Sequence, residues 1–438
     1  MEPIRIKDNS YKPESDFEEI PNLTKCIADK TLSELEREGI FVFPEAVKDS
    51  EDIDGEQKIL ESRGSFYRAG NVMGFIGLAD ERLTIASRFD GEHDFLFWYL
   101  LEKVMAFPNL VDLKIDADVK KRLFQLLLFL FPVYLQAAMR KGVYKEYIHR
   151  EYNDGHVSGV IDIARHIKKN TPSIGKIAYS RREFSYDNAL MELVRHTTEF
   201  IKRKPYGHVI LSKVKEEVKI IIRATPSYAA GERREIMEIN KKNVVRHAYF
   251  REYSALQRLC LLILGNEKHQ IGIGEWHIYG ILFDGAWLWE EYVGRLLGDA
   301  FYHPRNKAHE GRQYLFAKNY GEIYPDFISR GTPRIIADAK YKLRKNIGKK
   351  NLDYYQLLAY MFRFEAKTGY FFYPETARAE DEILLLNRGT TYEGNAAPRG
   401  DIRIIKHGFA IPAEAEDYET FRLKMKKAEE SFRNGISK

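Results

Sequence analysis

The segment Arg334-Ile-Ile-Ala-Asp338-Ala-Lys340-Tyr-Lys342 sets a carboxylate two residues before an ammonium, and Asp326 precedes it in Ile323-Tyr-Pro-Asp326-Phe-Ile. Read as a strand, the first segment turns Ile336, Asp338, Lys340 and Lys342 to one face, because side chains alternate along extended backbone. If the segment around Asp326 pairs with it as a hairpin, the two aspartates come within reach of one cation. Such carboxylates suit Mg2+, which takes one or two of them and completes its shell with water and phosphate oxygens. A cation there stabilises charge developing on a scissile phosphate and acidifies a water nucleophile. Lys340 is then placed to orient or deprotonate that water, or to neutralise the transition state. The expected chemistry is metal-dependent phosphodiester hydrolysis, with Mg2+ or alternatively Mn2+. A surface strand carrying an ion pair is the plain rival, since Asp-x-Lys alone is a degenerate pattern.

Two neighbouring helices bear on that choice. In a helix expected over Leu352–Phe364, Gln356 and Tyr360 are four apart and share a face, which suits positioning of a phosphate or a base. A polar residue beside a half-buried tyrosine is the ordinary alternative. In a helix expected over Ala286–Leu297, Glu290 falls among Trp287, Val293 and Leu297, an apolar face where an unpaired carboxylate is costly. A metal would explain Glu290 there, and a buried salt bridge would do so equally. Glu291 shares its side with Arg295 and is expected in solvent. Lys342, Lys349 and Lys350 are the candidates for DNA phosphate contacts, whereas runs such as Lys202-Arg203-Lys204 are ordinarily solvated. No Gly-x-x-x-x-Gly-Lys-Ser/Thr loop is present, so the chain is not itself a P-loop nucleotidase.

These residues sit in a chain of 438 residues, 44% hydrophobic and 30% charged, with a formal net charge of +5 and a pI of about 8.7. The balance is that of a soluble globular protein. Its mild basicity is compatible with a nucleic-acid partner without naming one. The two cysteines, Cys26 and Cys260, lack metal-ligand spacing, which points to a reducing cytoplasm rather than a disulfide framework. The start carries no apolar leader. The most apolar stretch, Leu123 to Leu135, is too short to span a bilayer and reads as a buried helix, so no membrane partner is expected.

The elements that must position the site follow from periodicity and caps. A helix over Thr31–Glu38 opens on a capping box of Thr31 and Glu34. Strands are expected at Ile40–Phe43, Met73–Leu78 and Leu83–Ala86, and helices at Phe95–Val104 and Lys121–Lys141. A short strand or hairpin over Gly155–Ile163 runs into the charged stretch Arg165–Lys169. Helices Asn188–Lys204 and Arg251–Leu264 then frame a polar connection. Beyond them, strands Ile323–Ile328, Arg334–Tyr341, Gly369–Tyr373 and Ile402–Ile405 interleave with the two helices already named. The expected class is α/β in the α+β sense. A mixed α/β region is expected over residues 1–95, a mainly helical, partner-facing middle over 96–270, and a domain with a central mixed sheet flanked by helices over 271–438.

The series Tyr-Pro-Asp326, Asp338-Ala-Lys340 and Gln356-x-x-x-Tyr360 resembles the PD-(D/E)xK nucleases that carry a Gln-x-x-x-Tyr motif. Upstream, the runs Gly74-Phe-Ile-Gly-Leu, Leu83-Thr-Ile-Ala-Ser-Arg88-Phe89 and Val157-Ser-Gly159-Val-Ile161-Asp162-Ile163 are similar to McrC, the nuclease-subunit family of McrBC modification-dependent restriction systems. The resemblance implies a partner-facing amino-terminal region and a carboxy-terminal PD-(D/E)xK domain. Carried over, it makes Asp326 and Asp338 metal ligands, Lys340 the catalytic lysine and Glu290 the helix carboxylate. It further implies cleavage of double-stranded DNA in assembly with a McrB-like AAA+ GTPase, which recognises methylated cytosine and which this chain would stimulate. One departure stands out: the family often has a basic residue where Val160 stands, and Arg150 and Arg165 are only neighbours. A self-sufficient or differently partnered endonuclease of the LlaJI type is the first alternative. A GTPase-activating scaffold with an inactive nuclease domain is the second, and the intact Asp326, Asp338 and Lys340 argue against it.

Overall fold

The computed structural model describes residues 4–38, 40–43, 56–105, 119–204, 206–265, 278–304, 311–377, 380–389 and 396–436. The chain divides into two compact units, one formed by Met1–Ile115 with Gly274–Lys438 and the other by Asp116–Ile273. The division therefore runs differently from the three consecutive segments expected from the sequence. Both ends of the chain share one unit, and hydrogen bonding between distant strands is the reason.

That pairing lies in a five-stranded sheet of the first unit, ordered Ile4–Lys7, Glu81–Ala86, Val72–Leu78, Ile278–Asp284, Ile40–Phe43. Strand Ile278–Asp284 enters from far along the sequence and pairs antiparallel with Val72–Leu78 and parallel with Ile40–Phe43. Backbones approach so closely here that a Cβ on Gly74 would lie 2.0 Å from the carbonyl oxygen of Ile281. Gly74 also has a φ of +147°, which side-chain-bearing residues rarely adopt. Under the sheet, Ile6, Leu23, Ile27, Leu35, Ile76, Leu83 and Leu282 form one apolar core. The capping box is present, with the Thr31 amide donating to Glu34 at 2.8 Å and the Glu34 amide donating to the Thr31 hydroxyl at 3.2 Å.

Asp284, the last residue of the inserted strand, is fully buried and accepts from the amides of Ala286 and Trp287 at 2.8 and 3.1 Å. It thereby caps the helix Gly285–Leu297, satisfying donors that a helix start leaves open. The helix leads to a six-stranded mixed sheet ordered Phe301–Tyr302, Phe327–Ser329, Ile335–Ala339, Thr368–Glu375, Pro398–Ala410, Glu382–Asn387. Helix Leu352–Arg363 makes the crossover between the parallel strands Ile335–Ala339 and Thr368–Glu375.

Alternation then divides the core. Phe371 and Tyr373 pack with Ile336, Leu357, Tyr360 and Met361 on the side of that crossover helix. Phe372 faces the other way, 5.2 Å from Phe432 of the helix Tyr418–Ile436, and its carbonyl accepts from the Trp289 indole at 3.1 Å. The mixed sheet flanked by helices matches the expected class.

Local differences have local causes. The strand expected over Ile323–Ile328 is broken: Tyr320–Ile323 pairs with Gln313–Phe316 as a separate two-stranded sheet, and Phe327–Ser329 joins the main sheet. Pro325 lies in the gap and has no N–H to offer a ladder.

The second unit is helical as expected, with the Leu123–Leu135 stretch inside the helix Val119–Met139 and Leu126, Leu130, Phe131 and Leu135 buried. It also contains a three-stranded antiparallel sheet, Glu146–Asp154, Ile177–Ser185, Val160–Ile161, and a helix over Ile163–Asn170 where a charged stretch was expected. Arg150 is paired with Asp187 at 2.5 Å, and Arg165 pairs with Glu151. No helix among the described residues is long and apolar enough to cross a membrane.

The close contact at Gly74 makes a stability prediction. Gly74→Ala should cost about 2–4 kcal/mol, combining backbone strain with overpacking against the Ile281 carbonyl. Urea unfolding of the full chain tests this; an unchanged midpoint would contradict it.

Candidate active site

The site is built on the pairing of Phe327–Ser329 with Ile335–Ala339. Their antiparallel register sets Phe327 against Ala337 and Ile328 against Ile336. Asp326 immediately precedes the first of these strands, and Asp338 lies within the second. The Asp326 carboxylate accepts the Ala339 amide at 2.8 Å, so its position is tied to the neighbouring strand. On the other edge of that strand, the Lys340 amide donates to the Phe372 carbonyl at 2.9 Å, which extends the ordered backbone one residue past Ala339.

The expected shared face is present. The Lys340 ammonium lies 2.6 Å from Asp338 Oδ2, with Asp338 buried and only 15% of the lysine side chain exposed. Lys340 also donates to Gln356 Oε1 at 3.2 Å, and Gln356 Nε2 donates to the Tyr360 hydroxyl at 3.1 Å. The four-residue spacing thus forms a relay from the lysine to a buried tyrosine.

Charge coupling brings in Glu290. Enclosure of the Asp326 carboxyl, then the negative charges of Glu290 and Asp338, push its pKa well above the ordinary 3.8, against the pull of Lys340 and the Ala339 amide. For Lys340, burial works against the ammonium, but Asp338 and Asp326 outweigh it and hold the group well above the usual lysine range. Burial and the nearby Asp338 push the Tyr360 hydroxyl up to about 12.

Among the described residues, no group of three or more His, Cys, Asp or Glu side chains stands ready to hold a metal ion. The ammonium of Lys340 lies against Asp338 instead. The donor chemistry still fits a hard divalent cation, because one or two carboxylates suffice. The mutual repulsion felt at Asp326 is what a cation would relieve.

Of the DNA candidates, Lys342 lies beside the site but is held by Asp353 at 3.0 Å, and Lys349 and Lys350 are exposed. Asp353 was not singled out from the sequence. It sits in the first turn of the crossover helix, accepts the Gly348 amide at 2.8 Å and lies 3.6 Å from Lys340. Its place three residues before Gln356 was the available signal. Glu291, expected in solvent, is half-buried and lies 3.7 Å from His303, which bonds the Asp326 carbonyl at 2.9 Å through Nδ1. Helical spacing alone did not reveal that the chain returns there at His303. Tyr341, also missed, is buried and its hydroxyl lies 2.6 Å from that of Ser87.

The family model described as "McrBC 5-methylcytosine restriction system component" matches residues 67–374. The chain belongs to this family. The match bears out the resemblance to McrC read from the sequence. Of solved structures, the Thermococcus gammatolerans half-complex of McrB AAA+ hexamers with bound McrC contains a chain with the same fold, at a TM-score of 0.50 and 17% identity, covering 100% of this chain and 99% of that one. The cryo-EM structure of the Thermococcus gammatolerans McrBC complex is also similar, at 17% identity over 70% of this chain and 93% of that one, with a TM-score of 0.31. No curated protein matches. In this McrBC component, every residue of the candidate site lies in the unit formed by the two ends of the chain.

The repulsion at Asp326 has a thermodynamic signature. A carboxyl group whose pKa is raised on folding penalises the folded state wherever it is charged, and the penalty fades as pH falls toward the unfolded value of 3.8. Asp326→Asn, which can still accept the Ala339 amide, should therefore melt higher than the parent protein at pH 8 in EDTA. The difference should shrink as pH approaches 4. Calorimetry checks both parts, and an equal or lower melting temperature at pH 8 would refute the argument.

Proposed function

We propose that this McrBC component is a nuclease subunit that hydrolyses DNA phosphodiester bonds at the Asp326, Asp338 and Lys340 site. The observation that carries this reading is the strand pairing that ties the Asp326 carboxylate to the Ala339 amide, next to Asp338, with the Lys340 ammonium against Asp338. Asp326 and Asp338, with Glu290 as the third carboxylate, would hold Mg2+, and Mn2+ could substitute. Bound there, the ion supplies Lewis-acid stabilisation of phosphate charge and an acidified water.

The chain's own residues then have distinct tasks. Lys340, kept as an ammonium by its carboxylate neighbours, suits charge neutralisation and water positioning better than proton abstraction. Gln356 orients that ammonium, and Tyr360 orients Gln356. Asp353 offers Lys340 a second anionic neighbour at 3.6 Å, so the ammonium need not lose all pairing when Asp338 is otherwise engaged.

The same reading includes a McrB-like AAA+ GTPase as partner, recognising methylated cytosine, with its GTP hydrolysis stimulated by this chain. Its support is the family membership and the structural neighbour, a McrC bound to McrB AAA+ hexamers. The absence of a Gly-x-x-x-x-Gly-Lys-Ser/Thr loop in this sequence accords with a motor on a separate chain.

The test combines the chain, its cognate GTPase, GTP, Mg2+ and duplex DNA with or without cytosine methylation. Asp338→Ala should lower the cleavage rate by about a hundredfold or more, the equivalent of losing a few kcal/mol of transition-state stabilisation. GTP hydrolysis should remain stimulated in the variant. Undiminished cutting would reject the site assignment, and cutting by the chain alone would replace the partnered reading with a self-sufficient enzyme.

A further inference from the structure

Beside the candidate site lies a cavity of about 570 Å³ whose lining reaches from the catalytic strand to the amino-terminal part of the same unit. Its cationic lining residues are Lys58, Arg63, Arg68, Arg88, Lys340 and Lys342, against the acidic Glu56 and Glu61. Arg63 and Arg68 come from the hairpin Leu60–Arg63 and Phe66–Ala69, whose strands pair antiparallel. We propose that this hairpin is one wall of the DNA-binding cleft, and that Arg63 and Arg68 hold backbone phosphates flanking the bond to be cut. The inference rests on the nuclease reading of the site and assigns the hairpin a role in it.

Position and charge carry the argument. The cavity opens onto Lys340, so a phosphodiester placed at that lysine continues into the space the hairpin bounds. A polyanion running through it meets mainly positive walls. The cations differ in how available they are. Arg88 is bound to the fully buried Asp8 and also to Asn71, so it serves as a fixed part of the wall. Lys342 is held at 3.0 Å by Asp353.

Arg63 and Arg68 both lie by the Glu61 carboxylate, at 2.8 and 3.8 Å, and Arg68 also donates to Asn9 Oδ1 at 2.7 Å. Their side chains are 57% and 39% exposed. Ion pairs that open to water contribute about 0–1 kcal/mol, so a phosphate can replace Glu61 as a partner at little cost. Arginine suits this because its planar fork can bind a phosphate through two N–H groups. Continuity with the phosphate-handling lysine favours DNA over an acidic protein as the occupant.

The test measures binding of a fluorescent duplex by the full chain in EDTA across a range of NaCl concentrations. Arg63→Ala/Arg68→Ala should weaken binding about tenfold at moderate salt and reduce the slope of log affinity against log salt by about two. Arg63→Lys/Arg68→Lys should restore most of both, because the charge is kept. Parental affinity and slope in the alanine variant would overturn the proposal, as would equal losses in the alanine and lysine variants, which would mark a packing role. Binding that is insensitive to salt in the parent would overturn it too. The nuclease reading fails separately, if Asp338→Ala still cuts DNA in the assembled system.

Discussion

Opposed carboxylates are the constraint around which the first unit is arranged. Asp326 stands just before a short strand paired with the one that carries Asp338 and accepts the Ala339 amide, and a slip of one residue would turn Asp338 to the other face of the sheet. Holding like charges together in a partly water-free place is costly. Three features offset the cost: the Ala339 amide on Asp326, the Lys340 ammonium on Asp338, and the Gln356 amide that holds the ammonium. The first two come from one central strand and its continuation and the third from the crossover helix, so the site exists only where strand and helix meet.

The five-stranded sheet contributes through continuity of the chain. Strand Ile278–Asp284 is held between Val72–Leu78 and Ile40–Phe43, and its final residue caps the helix that carries Glu290. Just beyond the strand Ile335–Ala339, buried Tyr341 contacts the Ser87 hydroxyl and lies under the Arg88 guanidinium, 4.9 Å from the ring centroid. Arg88 is itself held by Asp8. Residues from the first ninety of the sequence therefore hold Tyr341, the neighbour of Lys340.

What was legible in the sequence was local. Alternation placed Asp338 and Lys340 on one face, helical spacing joined Gln356 to Tyr360, and the Thr31–Glu34 capping box was readable from two residue types three apart. Glu290 was reached through its apolar neighbours, and its charge is indeed felt at Asp326. What was not legible depended on distant returns of the chain. Nothing near Glu291 announces His303, and nothing near Ile278 announces that its strand partners lie some two hundred residues earlier. The helix Tyr418–Ile436 escaped notice for the same reason. Its buried Glu429 accepts hydrogen bonds from Tyr99 at 2.7 Å and Tyr292 at 3.0 Å, partners visible only in three dimensions.

The division of the chain bears on how chemistry and control can be separated. Residues 116–273 form a unit with its own helices, sheet and buried residues, and it contributes none of the side chains placed at the site. Its Arg150 and Arg165 are already engaged by Asp187 and Glu151. Each also stands on a different element, Arg150 on the strand Glu146–Asp154 and Arg165 on the helix Ile163–Asn170. If either acted on a bound GTPase, its present carboxylate partner would first have to be displaced. For Arg165 the ties are several: besides Glu151 it lies 3.5 Å from Asp162 and donates to the Tyr179 carbonyl at 2.6 Å, whereas Arg150 pairs with Asp187, which is 5% exposed. The burial of Asp187 gives that second pair a structural function in the middle unit, since removing the arginine would leave a buried charge unpaired.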